Sequence, residues 1–203
     1  MGISTPGGRS LTLEEKRKII LAYEEAMAGR LASQVLEKPV PPIWMILIPV
    51  FFVFYAWKIK EYSNGLKTFA DHYLVSRRRA LETAYEAVRN NTIPEVEPLV
   101  ARAEALPPEV RPLYRDWISL LIDHYHNLLT AKGESVEDMI RTHYRNKSNY
   151  LFVANRLSSA EKNFNSALVP KVEGDREDVH FIADRMQQSL IALSREEVEK
   201  VFS

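Results

Sequence analysis

Apolar residues in this chain recur at spacings of three and four, and nowhere alternate at the strand period for a useful length. The pattern predicts an all-α fold. Thr12 and Glu15 form a capping box that opens a helix running to about Leu36. One face of it carries Ile19, Ile20, Tyr23, Met27, Leu31 and Val35, and the other Lys16, Arg17, Lys18, Glu24, Glu25 and Arg30. Such an amphipathic helix suits a membrane surface or the flank of a C-terminal bundle. Pro39, Pro41 and Pro42 end it.

Past Asn64-Gly65, read as a turn, Leu66, Phe69, Tyr73, Ala80, Ala84 and Val88 predict a helix from Leu66 to Arg89. Thr92 is expected to cap a short helix to Ala105, before Leu106-Pro107-Pro108 turns the chain. A helix from Glu109 to Ala131 carries two apolar stripes, Leu113, Trp117, Leu121, His124, Leu128 and Ile118, Ile122, Tyr125, Leu129. A helix so widely apolar belongs at the centre of a bundle. After Gly133, Ser135 with Asp138 restarts a helix expected to reach Leu168, with Val136, Ile140, His143, Tyr144, Tyr150, Leu151, Ala154, Leu157 and Phe164 on its buried side. Asp175 caps a last helix to Phe202, with a second capping box at Ser194 and Glu197 as a candidate break.

Between the first two helices runs Val40 to Trp57 without a single charge. As a helix it would cover roughly 27 Å, just short of a hydrocarbon core. Trp44 near one end, and Tyr55 and Trp57 at the other, suit the headgroup level; Lys58 and Lys60 can snorkel to it. The expected membrane contacts are Trp44, Pro49, Phe51, Phe52, Tyr55, Trp57, Lys58 and Lys60. Basic residues flank the segment unequally: Arg30 and Lys38 before it, Lys58, Lys60, Lys67, Arg77, Arg78 and Arg79 after it. The positive-inside rule then favours a single span, kinked at Pro49, with the C-terminal part cytoplasmic and the first 39 residues outside. A re-entrant hairpin, with both flanks on one side, is the alternative.

The expected fold class is therefore a helical bundle of four to five helices with an N-terminal amphipathic helix and one apolar membrane segment. The expected division is an N-terminal helix (1–39), an anchor (40–62) and a bundle (63–203).

Composition narrows the function. Lys plus Arg and Asp plus Glu balance at 27 each, so no basic excess points to nucleic acid. Without cysteine there is no disulfide, thiolate metal site or cysteine nucleophile. No secretory leader or myristoylation pattern is visible at the start.

No specific catalytic motif is present. A di-metal carboxylate site would take Asp123 and His126 with Glu177 and His180, each pair three apart on a helix face, completed by Glu82, Glu86 or Glu161. Glu177 also suits the first turn of a helix on electrostatic grounds alone. His143 is a candidate general base or a half-buried structural histidine. His72 and Asp71 diverge as helix neighbours. Arg77, Arg78 and Arg79 could meet anionic headgroups or a partner, provided the chain turns at Asn64-Gly65; otherwise Arg78 and Arg79 would pair with Glu82 and Glu86.

The reading is a non-catalytic scaffold or accessory protein that binds a protein partner or a second copy at a bacterial inner membrane. It expects membrane lipid as a contact and no cofactor, metal or nucleic acid. The alternatives are a di-metal bundle enzyme and an anionic-lipid-binding or membrane-remodelling module.

Overall fold

The computed structural model describes residues 11–36, 49–104, 106–171 and 176–203, with residues 49–59, 171 and 176–180 described by backbone alone. Among them are seven α-helices and no strand: α1 (Leu13–Val35), α2 (Pro49–Asn90), α3 (Glu97–Ala101), α4 (Arg111–Thr130), α5 (Val136–Tyr144), α6 (Lys147–Leu168) and α7 (Arg176–Val201), with a 3-10 turn at Val169–Lys171. The chain is all-α, with more helices than the four to five expected.

Local chemistry sets most of the boundaries. In the α1 capping box the Glu15 N–H donates to Thr12 Oγ1 at 3.2 Å, while the Thr12 N–H donates to the Glu15 carboxylate at 2.8 Å. α3 is shorter than the expected run from Thr92, and begins where Pro98 falls at a position that lacks an N–H partner anyway. α4 buries both of its stripes, including Trp117, Ile118, Leu121, Ile122, Tyr125, Leu128 and Leu129, and lies at the centre. The expected single helix from Ser135 to Leu168 is two. Arg145 takes φ 68°, and the Asn146 side chain accepts the Asn149 N–H at 2.9 Å to cap α6. In α7, Ser194 and Glu197 cause no break.

α2 departs most from expectation. It runs for 42 residues, about 63 Å, straight through Asn64-Gly65. Gly65 lies beside α1, where an added Cβ would stand 3.7 Å from Leu36 Cδ1.

The helices pack as a bundle in which α1 is a full member. It buries Ile20, Ala28, Leu31, Ala32 and Val35. α1 lies antiparallel to α2, with Arg17 bound to Glu82 at 2.7 Å toward one end and Leu36 beside Gly65 at the other. It is also antiparallel to α7, through Tyr23 to Glu197 at 2.7 Å and Arg185 to the Gln34 carbonyl at 2.9 Å. One apolar cluster surrounds α4; a second joins Leu31, Val35 and Leu193 with Met27, Phe69, Tyr73, Met186 and Leu190.

α1 helps build the bundle core, the second of the two placements that its amphipathic face allows. Leu36, at the end of α1, lies beside Gly65 of α2, so the two helices meet at this end. Among the described residues, no helix is long and apolar enough to cross a membrane. Trp44 and the first half of the apolar segment lie outside them; Pro49, Phe51, Phe52, Tyr55, Trp57 and Lys58 are placed as backbone of α2, and Lys60 is exposed.

Candidate functional site

The stripe that α2 turns inward runs through Tyr73, Arg77, Ala80 and Ala84, so helical period delivers an arginine to the interior. α1 brings Glu24 and α6 brings Glu161 by the same route. Arg77 donates from one terminal nitrogen to Glu24 at 3.2 Å and from the other to Glu161 at 2.9 Å, and its guanidinium lies 4.7 Å over the Tyr73 ring. The three charged side chains are 14%, 12% and 5% exposed, so this is a buried ion triad joining α1, α2 and α6.

The triad lines a cavity of about 100 Å³ that reaches all five long helices, with His124 from α4 and Glu197 from α7 completing the polar wall. Tyr23 Oη donates to Glu197 at 2.7 Å. Burial pushes the Glu197 and Glu161 carboxyls above the ordinary 4.5, with the Tyr23 hydroxyl and the Arg77 charge respectively pulling back. Burial opposes the Arg77 charge, but Tyr73, Glu161 and Glu24 more than offset it and hold the guanidinium protonated. Burial, with Arg77 and His143 adding repulsion, drives His124 down to about 3, so its ring is neutral. His124 Nδ1 lies 2.7 Å from Tyr144 Oη. Arg77 Nε is buried without a hydrogen-bond partner among the described residues.

Such an arrangement can do two things. It fixes the register of three helices by pairing one guanidinium with carboxylates from two others. It also couples folding to protons, because its carboxylates outnumber its fixed cation.

The residues singled out in the sequence fare differently. Arg77 is drawn inside; Arg78 pairs with Glu25 at 3.0 Å and Asp71 at 3.7 Å; Arg79 is exposed. The expected partners are occupied elsewhere, Glu82 by Arg17 at 2.7 Å and Glu86 by Arg89 at 2.5 Å. With no turn at Asn64-Gly65, the three arginines do not fold back toward the apolar segment. Asp123 is exposed on α4, and Glu161 is bound to Arg77. Glu177 and His180 fall in the first two turns of α7, where side chains lie outside the description. Among the described residues no three His, Asp or Glu side chains gather to hold a metal ion. His143 is exposed rather than on the buried side, and His72 is exposed.

Sequence reasoning missed Glu24 and Glu197 as site residues, and assigned Arg77 and Glu161 to other roles. The signal was present as interruptions of apolar stripes: Tyr73–Arg77–Ala80, Leu157–Glu161–Phe164 and Leu193–Glu197–Val201 each place a charge where period demands an apolar residue. No protein family, curated protein or solved structure matches the chain.

Proposed function

We propose that this chain is a non-catalytic accessory protein that attaches to one face of a membrane through the link between α1 and α2 and presents its helical bundle to a protein partner. The observation that carries the reading is that α1 and α2 meet at one end of the bundle, with the uncharged segment Val40–Trp57 between them. A link that leaves and returns at one end suits a hairpin dipping into a single leaflet. The helical stretch from Pro49 to Trp57 covers roughly 13 Å, close to half of a ~30 Å hydrocarbon core. Backbone donors in lipid need partners, and Pro39, Pro41, Pro42 and Pro49 remove four of them from the link. Trp44, Tyr55, Trp57, Lys58 and Lys60 then serve at headgroup level. The bundle end of α2 continues into the Arg77 triad, so attachment and core share one rigid helix.

The test is retention and sidedness in native membranes. Protein should remain after alkaline carbonate washing, and single cysteines placed at Gly8 and Ser203 should label from the same face. Labelling from opposite faces, or complete release, would overturn the reading. A mild-detergent pull-down of the same membranes, with metal analysis, should then yield a stoichiometric protein partner; bound metal without a partner would favour the enzyme alternative.

A further inference from the structure

The cavity beside the Arg77 triad carries more negative charge than its own residues offset. Glu24, Glu161 and Glu197 line it from α1, α6 and α7, and Arg77 is the one fixed cation among the described lining residues. Both terminal nitrogens of Arg77 are taken, by Glu24 at 3.2 Å and by Glu161 at 2.9 Å. Glu197 accepts from Tyr23 Oη at 2.7 Å, and no cation bonds to it among the described residues. His124 is neutral, so three ionised carboxylates against one guanidinium leave two buried negative charges. An interior tolerates these only with protons or a cation to offset them.

We propose that this cavity binds a small protonated amino alcohol of the size of ethanolamine, whose ammonium group donates to Glu197 and whose oxygen accepts from Arg77 Nε. Size sets the upper limit. An apolar cavity of about 150 Å³ admits benzene, so roughly 100 Å³ suits a ligand of roughly four heavy atoms. Charge calls for a cation, and geometry argues for a polyatomic one. A metal ion needs several oxygens within about 2.0–2.6 Å of one point, and no three His, Asp or Glu side chains gather in this way among the described residues. An ammonium group reaches further, because its N–H donors stand about 2.7–2.9 Å from a carboxylate oxygen. Arg77 Nε adds a second requirement. It is buried without a hydrogen-bond partner among the described residues, and an ammonium group has no lone pair to offer it. An oxygen on the ligand does. Glu24 and Arg77 keep 12% and 14% of their side chains exposed, so the wall is not sealed on that side. The site lies within the bundle and does not depend on how the chain meets a membrane.

The experiment titrates the full chain with ethanolamine by isothermal calorimetry at neutral pH, in an uncharged detergent and an amine-free phosphate buffer. Choline keeps the charge and the hydroxyl but has methyl groups in place of N–H donors. Ethylene glycol keeps the size without the charge, and ethylamine lacks the oxygen. Ethanolamine should bind saturably, one per chain, and about tenfold more tightly than any of the three. Glu197→Gln, with its fold checked by circular dichroism, should weaken that binding by a similar factor. Absence of saturable ethanolamine binding overturns the proposal. Equal binding by choline, ethylene glycol or ethylamine overturns it too, since the N–H donors, the charge or the oxygen would then be idle. Undiminished binding by folded Glu197→Gln places the amine elsewhere and also overturns it. The comparison of ligands on the parent chain is decisive without that variant, should it fail to fold.

Discussion

Arg77 is the residue on which the interior turns. Its removal strands Glu24 and Glu161 without a cation in a site shielded from water, and unpairing a buried charge of this kind costs about 3–5 kcal/mol. Arg77→Ala is therefore expected to lower the unfolding free energy in urea by that amount, whereas Arg77→Met with Glu24→Gln and Glu161→Gln recovers most of the loss. If the single variant unfolds like the parent, the triad is not coupled to stability. Protonation adds two opposing slopes. His124 ordinarily titrates near 6.5 but holds out to about 3 in the native state, so between those values the unfolded chain binds the extra proton. Its contribution is lost as pH falls through that window, and His124→Leu should flatten the acid limb of a pH–stability curve even if it lowers the whole curve. Glu197 has the reverse sign: its native pKa lies above 4.5, so its contribution is complete below that value and lost as pH rises through the raised one. Glu197→Gln should improve relative to the parent as pH increases from 4 to 8, measured by the same titration. None of these residues was legible as a site from motifs, because no motif describes a charge that breaks an apolar stripe. Their positions were legible from period alone, since a polar residue on the buried face must find a partner there.

At the scale of elements, helix existence followed from apolar spacing and capping chemistry, while two punctuation marks misled. Asn64-Gly65 reads as a turn, yet α2 passes through it: at about 1 kcal/mol, glycine's helix penalty is small beside the packing of α2 on α1 and α4. Conversely, Arg145 and Asn146 carry no glycine or proline to announce the break between α5 and α6. The Asn146 cap is visible only in hindsight, and the left-handed φ falls on an arginine. Two glycines with opposite expected responses test this account. At Gly65 an added methyl meets only Leu36 at an ordinary 3.7 Å, so Gly65→Ala should stabilise by about 0.5–1 kcal/mol through helix propensity. At Gly133 a Cβ would stand 2.7 Å from the Met139 backbone nitrogen and 2.8 Å from Asp138 Cβ, so Gly133→Ala should destabilise. Thermal denaturation of the two variants distinguishes them by sign, and a destabilised Gly65→Ala would mean α2 is strained or open at that point.

For the whole molecule, the charge count around the apolar segment points to a single span, whereas the proposed one-sided attachment rests on Leu36 and Gly65 meeting at one end. The positive-inside rule weighs flanking lysines and arginines as if each were free to face a membrane. Here Arg77 is consumed by the core and Arg30 by Glu196, at 2.5 Å. The order of elements also hid the topology, because a segment lying between two bundle helices looks like a boundary between domains when read along the chain. The described core takes Ile20, Leu31 and Val35 from α1, and the proposed attachment treats the link as separate from that core. A fragment lacking residues 1–36 loses Ile20, Leu31 and Val35 from the core, and Glu24 from the triad, so it should show no cooperative thermal transition. Replacing residues 37–57 by a short Gly-Ser linker should instead leave a cooperatively folding bundle that no longer stays with carbonate-washed membranes. In that bundle Arg77→Ala should cost as much as in the full chain, because the partners of Arg77 stand on α1 and α6. A linker-substituted chain that fails to fold would show that the apolar segment is part of the core, and with it the division between attachment and bundle would collapse.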